Sequence, residues 1–208
     1  MMSVDHLISS YGYYAVFVIV GLESVGIPLP GETALIAAAT YAATSGNMNI
    51  WAIFAAAAAG AILGDNVGYW IGNKGGYKLA RKYGPKIRLD ERKLKVGRYI
   101  FDRHGGKVVF FGRFVSVLRT FAAFLAGTLR MSWSRFLLYN ALGGVVWAAT
   151  YSFGFFAAGT TLKRLSGPFH YAAIGVAVAV VVAVFVVVKR QTDLLAEKAE
   201  AAYPGPLE

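Results

Sequence analysis

Apolar residues run through this chain in long blocks, and the few polar positions that interrupt them set the expected elements. Residues 7–22 and 33–46 carry no charge, and their strongest polar groups are hydroxyls. As helices they would reach about 21 to 24 Å, short of the roughly 30 Å hydrocarbon core of a bilayer. Between them stands Glu23-Ser24-Val25-Gly26-Ile27-Pro28-Leu29-Pro30-Gly31-Glu32. Pro28 and Pro30 remove backbone donors and fix φ, while Gly26 and Gly31 permit a bend, so helix, break, helix is expected over about 8–46. Broken backbone at membrane depth survives only against protein or a wet cavity, which makes the flanking acids candidates for a site. Residues 1–10 are mixed, and Asp5 and His6 are expected to be solvated.

The next block, 50–72, is long enough for a full span. Within it Gly60, Gly64, Gly68 and Gly72 recur every fourth residue, which stacks them on one face and lets a second helix approach closely. That face would serve packing within the chain or a homodimer. Residues 73–106 are polar and basic, with residues 90–104 patterned as an amphipathic surface helix after a break at Gly84-Pro85. Residues 107–129 are apolar apart from Arg113, Arg119 and a few hydroxyls, and predict a second hairpin turning around 115–119. Spans follow at 133–160 and 169–188, and 191–208 is expected to be a disordered tail.

Composition agrees with a membrane protein built as one domain over 1–190. Of 208 residues, 57% are apolar and only 15% charged, and the mean hydropathy is +0.52. The net charge of +10 is concentrated, since 12 of the 21 basic residues lie in 74–107. That block reads as a cytoplasmic segment facing anionic headgroups, not as a nucleic-acid surface, because no nucleic-acid-binding motif accompanies it. Placing it inside also puts the C-terminus inside. The chain has no cysteine, which excludes disulfides, thiol redox chemistry and thiolate-held metals. No basic residue precedes Lys74, so a cleaved leader is not expected and the spans themselves would direct insertion.

A repeat runs through this pattern. Trp51-Ala52-Ile53-Phe54 is echoed 82 residues later by Trp133-Ser134-Arg135-Phe136, and Gly72 by Gly154. With 73–106 inside, the two halves are each a hairpin and a span, entering from opposite faces. The expected fold is therefore an all-α integral membrane protein, an inverted repeat of re-entrant hairpin plus transmembrane helix with one further C-terminal span.

If the hairpin tips meet, Glu23 and Glu32 face Arg113 and Arg119, and mutual neutralisation offsets much of the burial cost. A guanidinium suits bidentate capture of phosphate, and desolvated carboxylates can exchange protons near neutral pH. Asp65, an acid within a span, is expected to support the site, either facing the pathway or pairing with an arginine. Four ionisable groups at two breaks exceed what packing needs, since hydroxyl and amide side chains are the usual polar glue. His6, His104 and His170 lie outside this constellation, and neither a metal nor another cofactor is expected.

These residues carry a family resemblance. Glu23-x-x-Gly26-Ile27-Pro28-x-Pro30-Gly31-Glu32, Gly60-x-x-x-Gly64-Asp65-x-x-x-Tyr69-x-x-Gly72, Gly112-Arg113-Phe114 through Arg119-Thr120-Phe121 to Ala126-Gly127, and Asn140-x-x-Gly143-x-x-x-Trp147 together resemble the DedA family, the bacterial branch of the SNARE-associated or VTT-domain membrane proteins. The resemblance covers about residues 11–160. It implies opposed re-entrant hairpins and a flippase of the bacterial inner membrane that moves undecaprenyl phosphate or a similar phospholipid between leaflets. By it, Arg113 and Arg119 would hold phosphate, Glu23 and Glu32 would couple to protons or Na+, and Asp65, Tyr69 and Asn140 would support them. Many relatives have prolines where this chain has Ser116 and Ala123, so its second hairpin is expected to turn differently. The competing readings are a proton-coupled exporter of small cations or drugs and, ranked lower, a membrane lipid phosphatase. A translocase is preferred to an enzyme because no nucleophile or metal motif accompanies the charges.

Overall fold

Local chemistry explains where the helices stop. In the computed structural model, which describes residues 4–83, 91–114, 116–164 and 201–202, α1 (Val4–Val25) ends where Gly26 adopts φ 115°. The Gly26 N–H then bonds the Glu23 carbonyl at 3.0 Å and the Ile27 N–H the Leu22 carbonyl at 3.2 Å. That pair of bonds is the Schellman closure, which needs a left-handed residue and so favours glycine. Pro28 and Pro30 lie in the break, and α2 (Gly31–Ser45) begins at once. It ends on Gly46, left-handed at φ 74°. The hairpin closes on itself, since the Asn49 N–H donates to the Tyr13 hydroxyl at 2.8 Å.

Among the described residues two helices are long and apolar enough to cross a membrane, over Ile50–Gly76 and Trp133–Thr161. The first belongs to α3 (Ile50–Tyr83), which runs past the expected end at 72 and changes direction at Gly76, with φ 52° and ψ −153°. The second belongs to α7 (Trp133–Arg164). They pack antiparallel, because Trp51 meets Phe153 at 4.8 Å at one end and the Trp133 indole N–H donates to Asn66 Oδ1 at 3.1 Å at the other. Between them in sequence come α4 (Glu91–His104), α5 (Lys107–Gly112) and α6 (Ser116–Thr128). The amphipathic helix expected over 90–104 is thus present as α4, burying Val96 and Phe101.

The second hairpin departs from expectation in where it breaks. The helical run stops at Gly112, Arg113 and Phe114 follow outside it, and α6 begins at Ser116, so Arg119 lies within a helix instead of at the turn. With Ser116 and Ala123 in place of prolines, nothing in α6 lacks a backbone donor, and the helix is continuous to Thr128. Ala123 is buried facing Gly68 of α3.

The packing crosses over between halves. α1 lies on α3 and α5 on α7, whereas α2 lies on α7 and α6 on α3. The glycine face of α3 serves both neighbours: Gly60 and Gly64 accept the backbone of α1 at Phe17 and Gly21, and Gly72 accepts Phe124 of α6. Two large apolar cores form among the described residues. One joins Val20, Leu35, Ile53 and Trp147, and the other joins Tyr69, Val109, Phe121, Leu125 and Phe136. The expected break at 84–85 and span at 169–188 lie outside the described residues, as does the tail except residues 201 and 202, which are helical.

Candidate functional site

The two hairpins meet where α6 passes the break between α1 and α2. One turn into α6, Arg119 reaches across and donates from Nη2 to Glu23 at 2.6 Å and from Nη1 to Glu32. Glu23 lies at the end of α1 and Glu32 in the first turn of α2, so the Gly26–Pro30 break places both acids on one guanidinium. Gly31 has a second reason to be glycine, since a Cβ there would enter the Glu23 carboxylate. The Gly31 backbone also hydrogen-bonds Glu23, at the N-terminal end of α2 where an anion is favoured.

α7 supplies the floor. The Arg119 guanidinium sits 4.6 Å from the centre of the Trp147 ring, a cation–π contact that covers one face of the cation. Four residues on, Tyr151 faces Glu32 and packs on Trp147 at 5.1 Å. Exposure is graded across the site: the side chains of Arg119, Glu23 and Glu32 are 9%, 19% and 38% exposed. The site is therefore most open on the Glu32 side, where α2 lies on α7.

Arg113 is elsewhere. The sequence expectation set both arginines against both glutamates, but Arg113 Nη2 donates to Asp65, to Asn140 Oδ1 at 2.6 Å and to the Ala61 carbonyl at 3.3 Å. Asn140 completes the cluster by donating to the Ile62 carbonyl at 3.1 Å. Both charges are almost sealed, with side chains 5% and 7% exposed for Arg113 and Asp65. The cause of the division is the break after Gly112. α5 is held on α7, where Gly143 and Gly144 admit the Arg113 side chain, while α6 leaves along α3 and carries Arg119 to the first hairpin.

Of the supporting residues, Asn140 joins Arg113, and Tyr69 joins neither cluster. Its hydroxyl donates to the Met131 carbonyl at 2.5 Å and its ring stacks on Phe136 at 4.5 Å, which ties α3 to the end of the second hairpin. Tyr151 was not singled out by the sequence. Its four-residue spacing from Trp147 on one helix face is the signal that was there to be read. Among the described residues no group of three or more acids and histidines is placed to hold a metal ion. Three carboxylates, Glu23, Glu32 and Asp65, share two guanidinium groups. With every group ionised the network carries one excess negative charge.

Known proteins match over these same elements. The VTT domain matches residues 29–157. An uncharacterized membrane protein of Synechocystis is 43% identical over 155 residues, covering 74% of this chain and 71% of its own. One from Mycobacterium bovis is 32% identical over 194 residues, covering 92% of this chain and 89% of its own. The protein DedA of Escherichia coli is 34% identical over 161 residues, covering 74% of this chain and 73% of its own. No solved structure matches the chain. Because the matched region takes in Glu32, Asp65, both arginines, the second hairpin and most of both described spans, and the relatives reach 34% and 43% identity over 74% of this chain, the chain belongs to the DedA family of VTT-domain membrane proteins.

Proposed function

We propose that this protein is a lipid translocase of the bacterial cytoplasmic membrane, moving undecaprenyl phosphate or a similar phospholipid between leaflets. The observation that carries the reading is Arg119, a buried guanidinium held at the meeting of two hairpins by carboxylates and open to one side through Glu32. An arginine fork binds a phosphate in the geometry it uses for a carboxylate. The headgroup would occupy this site while the isoprenoid tail stays in lipid between helices. No bond in the lipid needs to be made or broken.

Helix lengths and packing support re-entrant hairpins in an inverted repeat. α2, α5 and α6 have 15, 6 and 13 residues, or about 22, 9 and 20 Å, each less than a core of about 30 Å, whereas α1, with 22 residues, reaches about 33 Å and is longer than the arm expected over 7–22. The crossed packing of α2 on α7 and α6 on α3 is what a pseudo-twofold relation between halves would give. In this reading the basic segment 73–106 and the C-terminus are cytoplasmic and the first hairpin enters from outside.

Charge explains why the site needs a coupling ion. A phosphate about 4 Å from an ionised carboxylate is repelled by about 4 kcal/mol per pair of charges at an effective dielectric near 20. Loading Arg119 therefore requires that the excess negative charge be relieved by a proton or another cation. The test is leaflet exchange of labelled undecaprenyl phosphate in proteoliposomes. Wild type should accelerate exchange, and Arg119→Ala, folded to the same extent, should lose at least tenfold of that acceleration. Folded wild type that gives no acceleration, with or without a proton gradient, overturns the reading.

The excess carboxylate favours one second reading, a proton-coupled exporter of small cations or drugs. Gradient-driven cation flux that is unchanged when phosphate lipids are omitted would select it.

A further inference from the structure

The Nη1/Nη2 edge of Arg119 is occupied. Nη1 is taken by Glu32, Nη2 by Glu23, and Trp147 covers one face. A phosphate can therefore take that edge of the fork only by replacing one glutamate. The two are held unequally. Glu23 has the Gly31 backbone as well as Arg119, and is the more enclosed. Glu32 is at the open mouth, and its second neighbour is the Tyr151 hydroxyl of α7. Resting on the phosphate-lipid reading above, we infer that Glu32 is a tethered stand-in for the ligand's phosphate, displaced from Arg119 when the headgroup enters and taking up one proton as it leaves.

The surroundings of Glu32 permit that exchange. Glu23 from α1, Arg119 from α6 and Tyr151 from α7 face it. Asp65 from α3 lies within electrostatic reach of Arg119 but is itself occupied by Arg113. While Glu32 is on Arg119 its charge is matched. Once phosphate takes that place, an ionised Glu32 would stand beside both Glu23 and the ligand with no cation left for it, because Arg113 is closed off. A proton from water at the mouth forms the O–H bond on Glu32, and the Tyr151 phenol oxygen can accept the hydrogen bond of the new acid. One anionic headgroup enters, one carboxylate is neutralised, and nothing is oxidised or reduced. The headgroup and the proton are then bound together through competition for a single guanidinium.

The test is calorimetric titration of the full-length protein in detergent with farnesyl phosphate, in buffers of different ionisation enthalpy and across a pH series. The ester's own proton is common to all variants, so differences report Glu32. Wild type should take up about one more proton per ligand than Glu32→Gln, and its affinity should fall by up to a further tenfold per pH unit as pH rises. Glu32→Ala should behave as Glu32→Gln and replaces it if that variant does not fold. Binding with the same proton uptake and the same pH slope in wild type and variant overturns the inference and leaves the phosphate-lipid reading standing. No binding of farnesyl phosphate by wild type at any pH overturns both.

Discussion

Arg113 and Arg119 stand six residues apart, and their surroundings give them different work. Arg113 is shut in with Asp65 and Asn140. Removing one member of a buried pair leaves the other charge without a partner, at about 3–5 kcal/mol. Arg113→Gln is expected to lower the thermal midpoint and the folded yield in detergent, and adding Asp65→Asn should recover much of the loss. Arg119→Gln should differ, because its carboxylates can reach water. It should keep a near-normal midpoint by tryptophan fluorescence and lose exchange at least tenfold. Equal thermal losses for the two variants would argue against this division. Gly31→Ala tests the site from the other side, since its Cβ would enter the Glu23 carboxylate. It should impair exchange more than any other Gly→Ala change in the first hairpin's break.

Among the elements, the first hairpin was legible and the second only in part, for a local reason. Pro28 and Pro30 restrict the backbone while Gly26 and Gly31 free it to bend, and the observed break falls on them. The second break has no proline, only Gly112 at its edge, and its position depends on α5 being captured by α7. The repeat was also more regular in sequence than in packing. Gly72 and Gly154 correspond across it, yet a Cβ on Gly72 would lie 2.9 Å from the Phe124 carbonyl carbon, while one on Gly154 meets nothing within 4 Å. Gly72→Ala should destabilise by about 1–3 kcal/mol through overpacking. Gly154→Ala should be neutral or stabilise by up to about 1 kcal/mol through helix propensity. Thermal unfolding of both variants decides it, and a Gly154→Ala loss as large as that of Gly72→Ala would contradict the packing. α6 ends on an exposed Arg130 at φ 57°, in the left-handed place that Gly26 takes in α1. Arg130→Gly should raise the midpoint, by about 0.5–1 kcal/mol in stability, because the left-handed penalty is removed.

For the whole molecule, the sequence pattern predicts hairpins and spans but not which hairpin arm lies on which span, because that pairing is made by contacts between residues far apart in the chain, such as Ala43 with Gly159 and Gly72 with Phe124. The crossed arrangement gives the α2–α7 seam its importance. Glu32 and Tyr151 lie along it, and toward its other end Gly159 of α7 packs on Ala43 of α2. If a headgroup enters where Glu32 leaves Arg119, α2 must shift against α7 in each cycle. The absence of cysteine makes this testable without background. A Cβ on Gly159 would lie 2.8 Å from that of Ala43, somewhat inside the roughly 3.5–4.5 Å of a disulfide, so a small adjustment allows the bond. The Ala43→Cys, Gly159→Cys pair should form that bond on mild oxidation, seen as altered gel mobility, and each single variant should not. With the bond formed, leaflet exchange should fall at least tenfold, and reduction should restore it. A bonded protein that exchanges lipid at the reduced rate would mean that this seam stays closed throughout the cycle, and the entry path would then have to be sought on the side of the site lined by α1 and α6.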